Sequence, residues 1–198
     1  MKTMTKLLAL ILALALIFSL AACVGSEGAA KEKDAKTPIS YKGAAEDEDE
    51  ENEAHTYEVI RGMYSWEDAK KAAAEKGGYL VRFDDADEFE FITGELTEQG
   101  YQDASLIIGA RRADGSEDYY FVDADDKAVG EKLNAASSWA SPYWLSGEPT
   151  YEWEGEQEWI LTVEYKTDGE KWVLNDVPDN ATYPEDPNRH GFIIEYEP

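Results

Sequence analysis

The 198-residue chain has one cysteine, Cys23, and two histidines, His55 and His190. A single cysteine cannot close an internal disulfide, and two distant histidines offer no metal-ligand spacing. A disulfide scaffold and a zinc module are therefore excluded. Basic residues are also few: 18 Lys and Arg stand against 43 Asp and Glu, a net charge of −25. Phosphate contacts need clustered Lys and Arg, so nucleic acid is not an expected partner. The protein surface itself is equally unsuited to an anionic membrane. No Gly-x-Ser-x-Gly, phosphate loop or dinucleotide fingerprint occurs. With 33 acids after residue 54, paired carboxylates carry no glycosidase signal, and the chain reads as a non-enzyme. Core material, by contrast, is plentiful. Apolar residues make up 43% and aromatics 12%, with six Trp and twelve Tyr, too much for a wholly disordered acidic chain.

The chain opens with Lys2 and Lys6, and Leu7 to Leu20 is then apolar except for Ser19. A helix of that length rises about 21 Å, short of the roughly 30 Å hydrocarbon layer. A signal-peptide core fits better than a spanning helix. Leu20-Ala21-Ala22-Cys23 resembles the bacterial lipobox. The resemblance implies a lipoprotein signal peptide over 1–22 and acylation of Cys23. It also implies a mature protein anchored to the cell membrane on its extracellular face. Residues 23–55 read as a disordered acidic tether, because Glu46 to Glu53 runs EDEDEENE and such a run is solvated and self-repelling.

Residues 56–198 read as the folded domain. Tyr57–Ile60 is a strand; Ser65 caps a helix carrying Trp66, Ala69 and Ala73 that stops at Gly77-Gly78. Tyr79–Phe83 alternates as a strand. Asp85, with Glu88 three residues on, forms a capping box for a second helix with Phe89, Ile92 and Leu96 on its apolar face. Further strands follow at Leu106–Ile108, Tyr119–Asp123, Glu158–Tyr165, Trp172–Leu174 and Gly191–Tyr196. Between about 124 and 157 no periodicity survives, and a loop of that length is usually functional. The class is α+β: two helices and a mixed, mostly antiparallel sheet with a long irregular loop.

These segments resemble the C-type lectin-like domain. Ser65-Trp66-Glu67-Asp68-Ala69 and Gly77-Gly78-Tyr79-Leu80 match its first helix and following strand. Ile107-Ile108-Gly109-Ala110, Phe121-Val122-Asp123, Tyr143-Trp144, Gly147-Glu148-Pro149, Asn175-Asp176 and Phe192–Glu195 follow in the family's order. Three departures stand out. Ala73 and Ile194 occupy half-cystine positions, so packing must replace the family's disulfides. Val173-Leu174 separates Trp172 from Asn175-Asp176, and Thr150 stands where sugar-binding members have Asn.

The resemblance implies recognition of an extracellular glycan on a bacterial surface lipoprotein, with a calcium ion between the long loop and the Asn-Asp strand. Calcium prefers six to eight hard oxygens, and vicinal sugar hydroxyls can enter that shell. Carried over position by position, the ligands are Glu148, Thr150, Glu156, Asn175 and Asp176, with Glu158 replacing Glu156 if the loop shifts register. Sugar contacts fall on Glu148, Asn175, Asp176 and Trp153, and the Glu148-Pro149 bond is expected to be cis. Trp66 and Trp144 read as core. The alternative is a calcium-independent protein-binding or envelope-structural module on the same scaffold.

Overall fold

The structure is a computed structural model and describes residues 37–43, 54–180 and 187–198. The signal peptide, Cys23 and most of the tether lie outside the described residues. The strands and helices run β1 Ile39–Tyr41, β2 His55–Arg61, α1 Trp66–Glu75, β3 Tyr79–Leu80, α2 Ala86–Glu98, β4 Ser105–Arg112 and β5 Tyr119–Val122. They continue as β6 Ala128–Val129, β7 Glu152–Trp153, β8 Glu156–Gln157, β9 Ile160–Lys166, β10 Lys171–Val177 and β11 His190–Tyr196.

Both helices start where their caps predict. The Ser65 side chain accepts from the Asp68 N–H, and Asp85 accepts from the Glu88 N–H. The expected capping box on α2 is altered, however. Glu88 Oε2 reaches the Asp84 N–H at 2.7 Å, one residue upstream of the cap. Its other oxygen accepts from the Tyr57 hydroxyl, so this cap carboxylate ties α2 to β2.

The sheet is ordered β1-β2-β11-β4-β5-β6, with β9 also on β4 and β10 outside β9. β11 is central, antiparallel to β2 and parallel to β4. β4 serves three neighbours along its length: β11, β9 and β5. At Gly109 the chain passes so close to β3 that a Cβ would lie 2.6 Å from the Leu80 carbonyl oxygen, so only glycine fits. β3 ends at Leu80, shorter than the predicted strand to Phe83, although the Val81 N–H still donates to the Ile193 carbonyl at 3.0 Å.

Two apolar clusters flank the sheet. One gathers Phe89, Ile92 and Leu96 of α2 with Leu106, Ile108, Tyr119, Leu161 and Leu174. The other gathers Trp66, Ala69 and Ala73 of α1 with Leu80, Ile160, Phe192 and Ile194. The two half-cystine positions, Ala73 and Ile194, thus belong to one buried cluster. Burial of each large side chain contributes about 1.5–3 kcal/mol, which is how the domain stands without cross-links.

Three boundaries differ from the sequence reading. First, the sequence predicts a tether from 23 to 55, yet Ile39–Tyr41 pairs antiparallel with β2 and Ile39 is buried. Secondly, β10 extends beyond Leu174 to Val177 and takes in Asn175 and Asp176. Thirdly, the aperiodic stretch holds the short strands β6, β7 and β8 and a 3-10 turn at Ser141–Tyr143. No described helix is long and apolar enough to cross a membrane.

Candidate functional site

The long loop returns to the sheet along the outer edge of β10. Trp144 bridges to Leu174, and the Leu145 N–H donates to the Leu174 carbonyl at 2.9 Å. The Glu148 N–H then closes a turn on the Leu145 carbonyl, and the Glu148-Pro149 bond is cis, as the resemblance implies. This places the Glu148 carboxylate above the inward face of β10, where Asp176 points. Glu158, at the entry to β9, completes a triad. Glu148, Glu158 and Asp176 each offer a carboxylate oxygen, and these oxygens lie within 4.8 Å of one another.

Loop register is set by Arg112. It follows Leu106, Ile108 and Ala110 on the buried face of β4 and is itself 4% exposed. Its guanidinium donates to the carbonyls of Glu158 (2.6 Å), Ser116 (2.8 Å) and Tyr151 (2.9 Å), and lies 4.3 Å from the Trp159 ring centroid. The charge therefore braces the loop backbone and pairs with none of the three carboxylates. Among the described residues no Lys or Arg forms a salt bridge with Glu148, Glu158 or Asp176.

The hydrogen bonding of the triad is incomplete. Asp176 Oδ2 accepts from the Tyr151 N–H at 3.0 Å and faces the Tyr119 hydroxyl at 3.0 Å. That hydroxyl also lies 2.9 Å from the Glu158 carbonyl, and its one hydrogen cannot serve both. The Thr150 hydroxyl donates to Glu158 Oε2 at 2.9 Å. Glu148 Oε2 and Asp176 Oδ1 are buried with no partner. Burial, reinforced by the charges of Asp176 and Glu148, pushes the Glu158 carboxyl up to about 7, against the Thr150 hydrogen bond and Arg112. Burial likewise raises Asp176, with Glu148 adding to it, against the hydrogen bonds from Tyr151 and Tyr119.

Such an arrangement is costly as it stands. An unpartnered buried acceptor costs about 1–3 kcal/mol, more when charged. Three converging carboxylates with two orphaned oxygens suit a hard divalent cation, whose oxygen ligands calcium chemistry favours. The residues present fit the ion that the sequence reading implies.

Not every predicted ligand is there. Glu156 is exposed on β8, paired with Trp153 of β7, and is not brought into the triad; Glu158 is. Asn175 and Asp176 are consecutive on β10 and so project to opposite faces. Asn175 shares its face with Thr162, and its amide lies 3.5 Å from Glu164. Thr150 reaches the triad only through Glu158. Trp153 is 62% exposed on the hairpin, whereas Trp66 is buried and Trp144 packs on the core. Sequence reasoning missed Arg112 and Tyr119. No sequence signal singled out Arg112 from Arg111, because β4 is buried on both faces from Leu106 to Ala110 and carries no alternation to phase against.

No family model matches the chain. It is 27% identical over 124 residues to a snaclec of Protobothrops flavoviridis, one chain of a coagulation factor IX-binding protein, covering 61% of this chain and 82% of that protein. Human lithostathine superposes with a TM-score of 0.51 at 18% identity, covering 73% of this chain and 92% of the other. The mouse scavenger receptor C-type lectin carbohydrate-recognition domain gives 0.48 at 21% identity, over 72% and 88%. The name of the first is that of a binding protein. Two helices on a mixed, mostly antiparallel sheet, with a long loop returning along β10, make this a C-type lectin-like fold.

Proposed function

We propose that the domain recognises an extracellular glycan through a calcium ion held by Glu148, Glu158 and Asp176. The observation that carries this is the pair of buried, unpartnered oxygens, Glu148 Oε2 and Asp176 Oδ1, in a triad without a neutralising cation. Calcium, when bound, supplies open coordination positions that vicinal sugar hydroxyls can fill. The chain's own residues orient the ligand. Thr150 holds Glu158 in place, Tyr119 and the Tyr151 N–H hold Asp176, and Trp153 offers an exposed ring beside the loop for stacking.

The lipobox-like Leu20–Cys23 segment supports a place for this domain on a bacterial cell surface, tethered by a lipid on Cys23. Cys23→Ser is expected to release the protein into the medium; retention at the cell counts against lipidation. Glycan binding is read on an array in millimolar calcium and again in chelator. Signal lost on chelation, and lost in Asp176→Asn, supports the reading. Signal unchanged in both overturns the calcium bridge. A second reading, binding of an extracellular protein without calcium, is favoured by the exposed Trp153 and by the factor IX-binding name of the relative. It predicts no array signal and a protein ligand whose capture needs Trp153 but not Asp176.

A further inference from the structure

A groove of about 380 Å³ lies between α2 and the turn end of the β9–β10 hairpin, apart from the carboxylate triad. One wall is the outer side of α2, where Gly94 sits in mid-helix. Glycine in a helix interior is destabilising relative to alanine. Packing does not require it here, since the space within 4 Å of where its Cβ would stand is open. What the glycine does is leave this wall open. The facing wall is aromatic. The half-buried Tyr165 meets the buried Trp172 edge to face at 5.6 Å, and the Trp172 indole behind it is fixed by a 2.8 Å bond to the Thr97 hydroxyl. Tyr143 closes one end through its hydroxyl bond to Glu90, and Glu170 and Lys171 stand at the rim. The partly exposed rings of Tyr143 and Tyr165, flanked by the carboxylates of Glu90 and Glu170 and the Lys171 ammonium, suit a pyranose, whose C–H face stacks while its hydroxyls donate and accept at the edge.

The groove is joined to the triad by the backbone. The segment from Tyr143 to Glu148 runs beside β10, pairing at Leu174, so Tyr143 marks the Trp172 end and Glu148 the Asp176 end. Four residues of strand separate those ends by about 13 Å. We infer that the groove of Gly94, Tyr143, Tyr165 and Trp172 is a second sugar subsite, and that the ligand is an oligosaccharide reaching from it to the triad. This rests on the glycan reading of the triad.

The test is an array of linear mannose and glucose oligosaccharides of one to six residues, probed in calcium with the wild-type protein, Gly94→Gln and Tyr165→Ala. Gly94→Gln fills the groove from a position with open space around it, so the fold is expected to melt no lower than wild type. The wild-type signal is expected to rise with chain length. Both variants are expected to lose that rise, by about tenfold for the longest chains, while monosaccharide binding is unchanged. Variants that keep the wild-type chain-length dependence overturn the subsite. A loss that is equal for monosaccharides also overturns it, as the groove would then be acting through the fold. No signal from any sugar with the wild-type protein overturns the triad reading itself, and the subsite with it.

Discussion

Asp176 and Asn175 are neighbours in sequence that differ in situation by one face of a strand. Asp176 is fully buried and points at Glu148 and Glu158; Asn175 points at Thr162 and Glu164. Residue types around the site were legible in the sequence, but this facing was not, because it follows from β10 continuing past Leu174. The choice of Glu158 over Glu156 is likewise a matter of register. Tyr151 and Glu154 take positive φ values of 66° and 51°, and with Gly155 they fold residues 152–157 into a hairpin that turns Glu156 outward. Non-glycine residues visit that region rarely, so no propensity rule would place them there. Two predictions belong at this scale. In chelator at pH 8, Glu158→Gln is expected to raise the melting temperature, because it removes one of three mutually repelling carboxylates, two of them buried. In calcium the same variant is expected to melt below wild type. Arg112→Leu is expected to lower stability by about 2 kcal/mol or more in urea unfolding, since the guanidinium's hydrogen bonds to the carbonyls of Glu158, Ser116 and Tyr151 are lost together.

Elements with a strong local signal were legible in the sequence, and those held by tertiary contacts were not. The caps Ser65 and Asp85 and the apolar faces of α1 and α2 are local features, and both helices begin where these place them. β1 is three residues long and borders an acidic run, too short for alternation to register. It exists because β2 offers an edge and because Ile39 finds a buried place in the cluster that includes Phe89 and Ile92 of α2, with Tyr41 ring-packed on Phe91 at 5.0 Å. Ile39→Ser is therefore expected to destabilise the domain by about 1.5–3 kcal/mol, the burial of one aliphatic side chain. Equilibrium unfolding checks this. A loss within a few tenths of a kcal/mol would mean that the segment contributes nothing as a strand. Ala73 and Ile194, where the resemblance implies half-cystines, both lie in one buried apolar cluster, a tertiary fact that no local signal carries.

Across the whole molecule the net charge of −25 was legible from composition, but the burial of four of its acids was not. Glu88 and Glu158 are each pushed up to about 7, chiefly by burial, and Asp176 and Glu195 are raised from the same cause. For a carboxyl raised on folding, the folded state binds the proton more tightly than the unfolded chain. Its contribution is full below the unfolded value of about 4.5 and is lost as pH rises through the folded value near 7. The calcium-free domain is therefore expected to lose stability between about pH 5 and pH 8, measured as a falling melting temperature. Calcium should flatten that fall, since an ion favours ionised Glu158 and Asp176 and leaves Glu88, Glu195 and Asp179, also raised by burial, to drive it. The central claim is that the triad holds a cation. Its most direct test is the melting midpoint of residues 31–198, one compact unit, at pH 7.5 in chelator and in rising calcium. The account predicts a midpoint that climbs through millimolar calcium in the wild type and stays level in Asp176→Asn. A wild-type midpoint that is the same at every calcium concentration would contradict it.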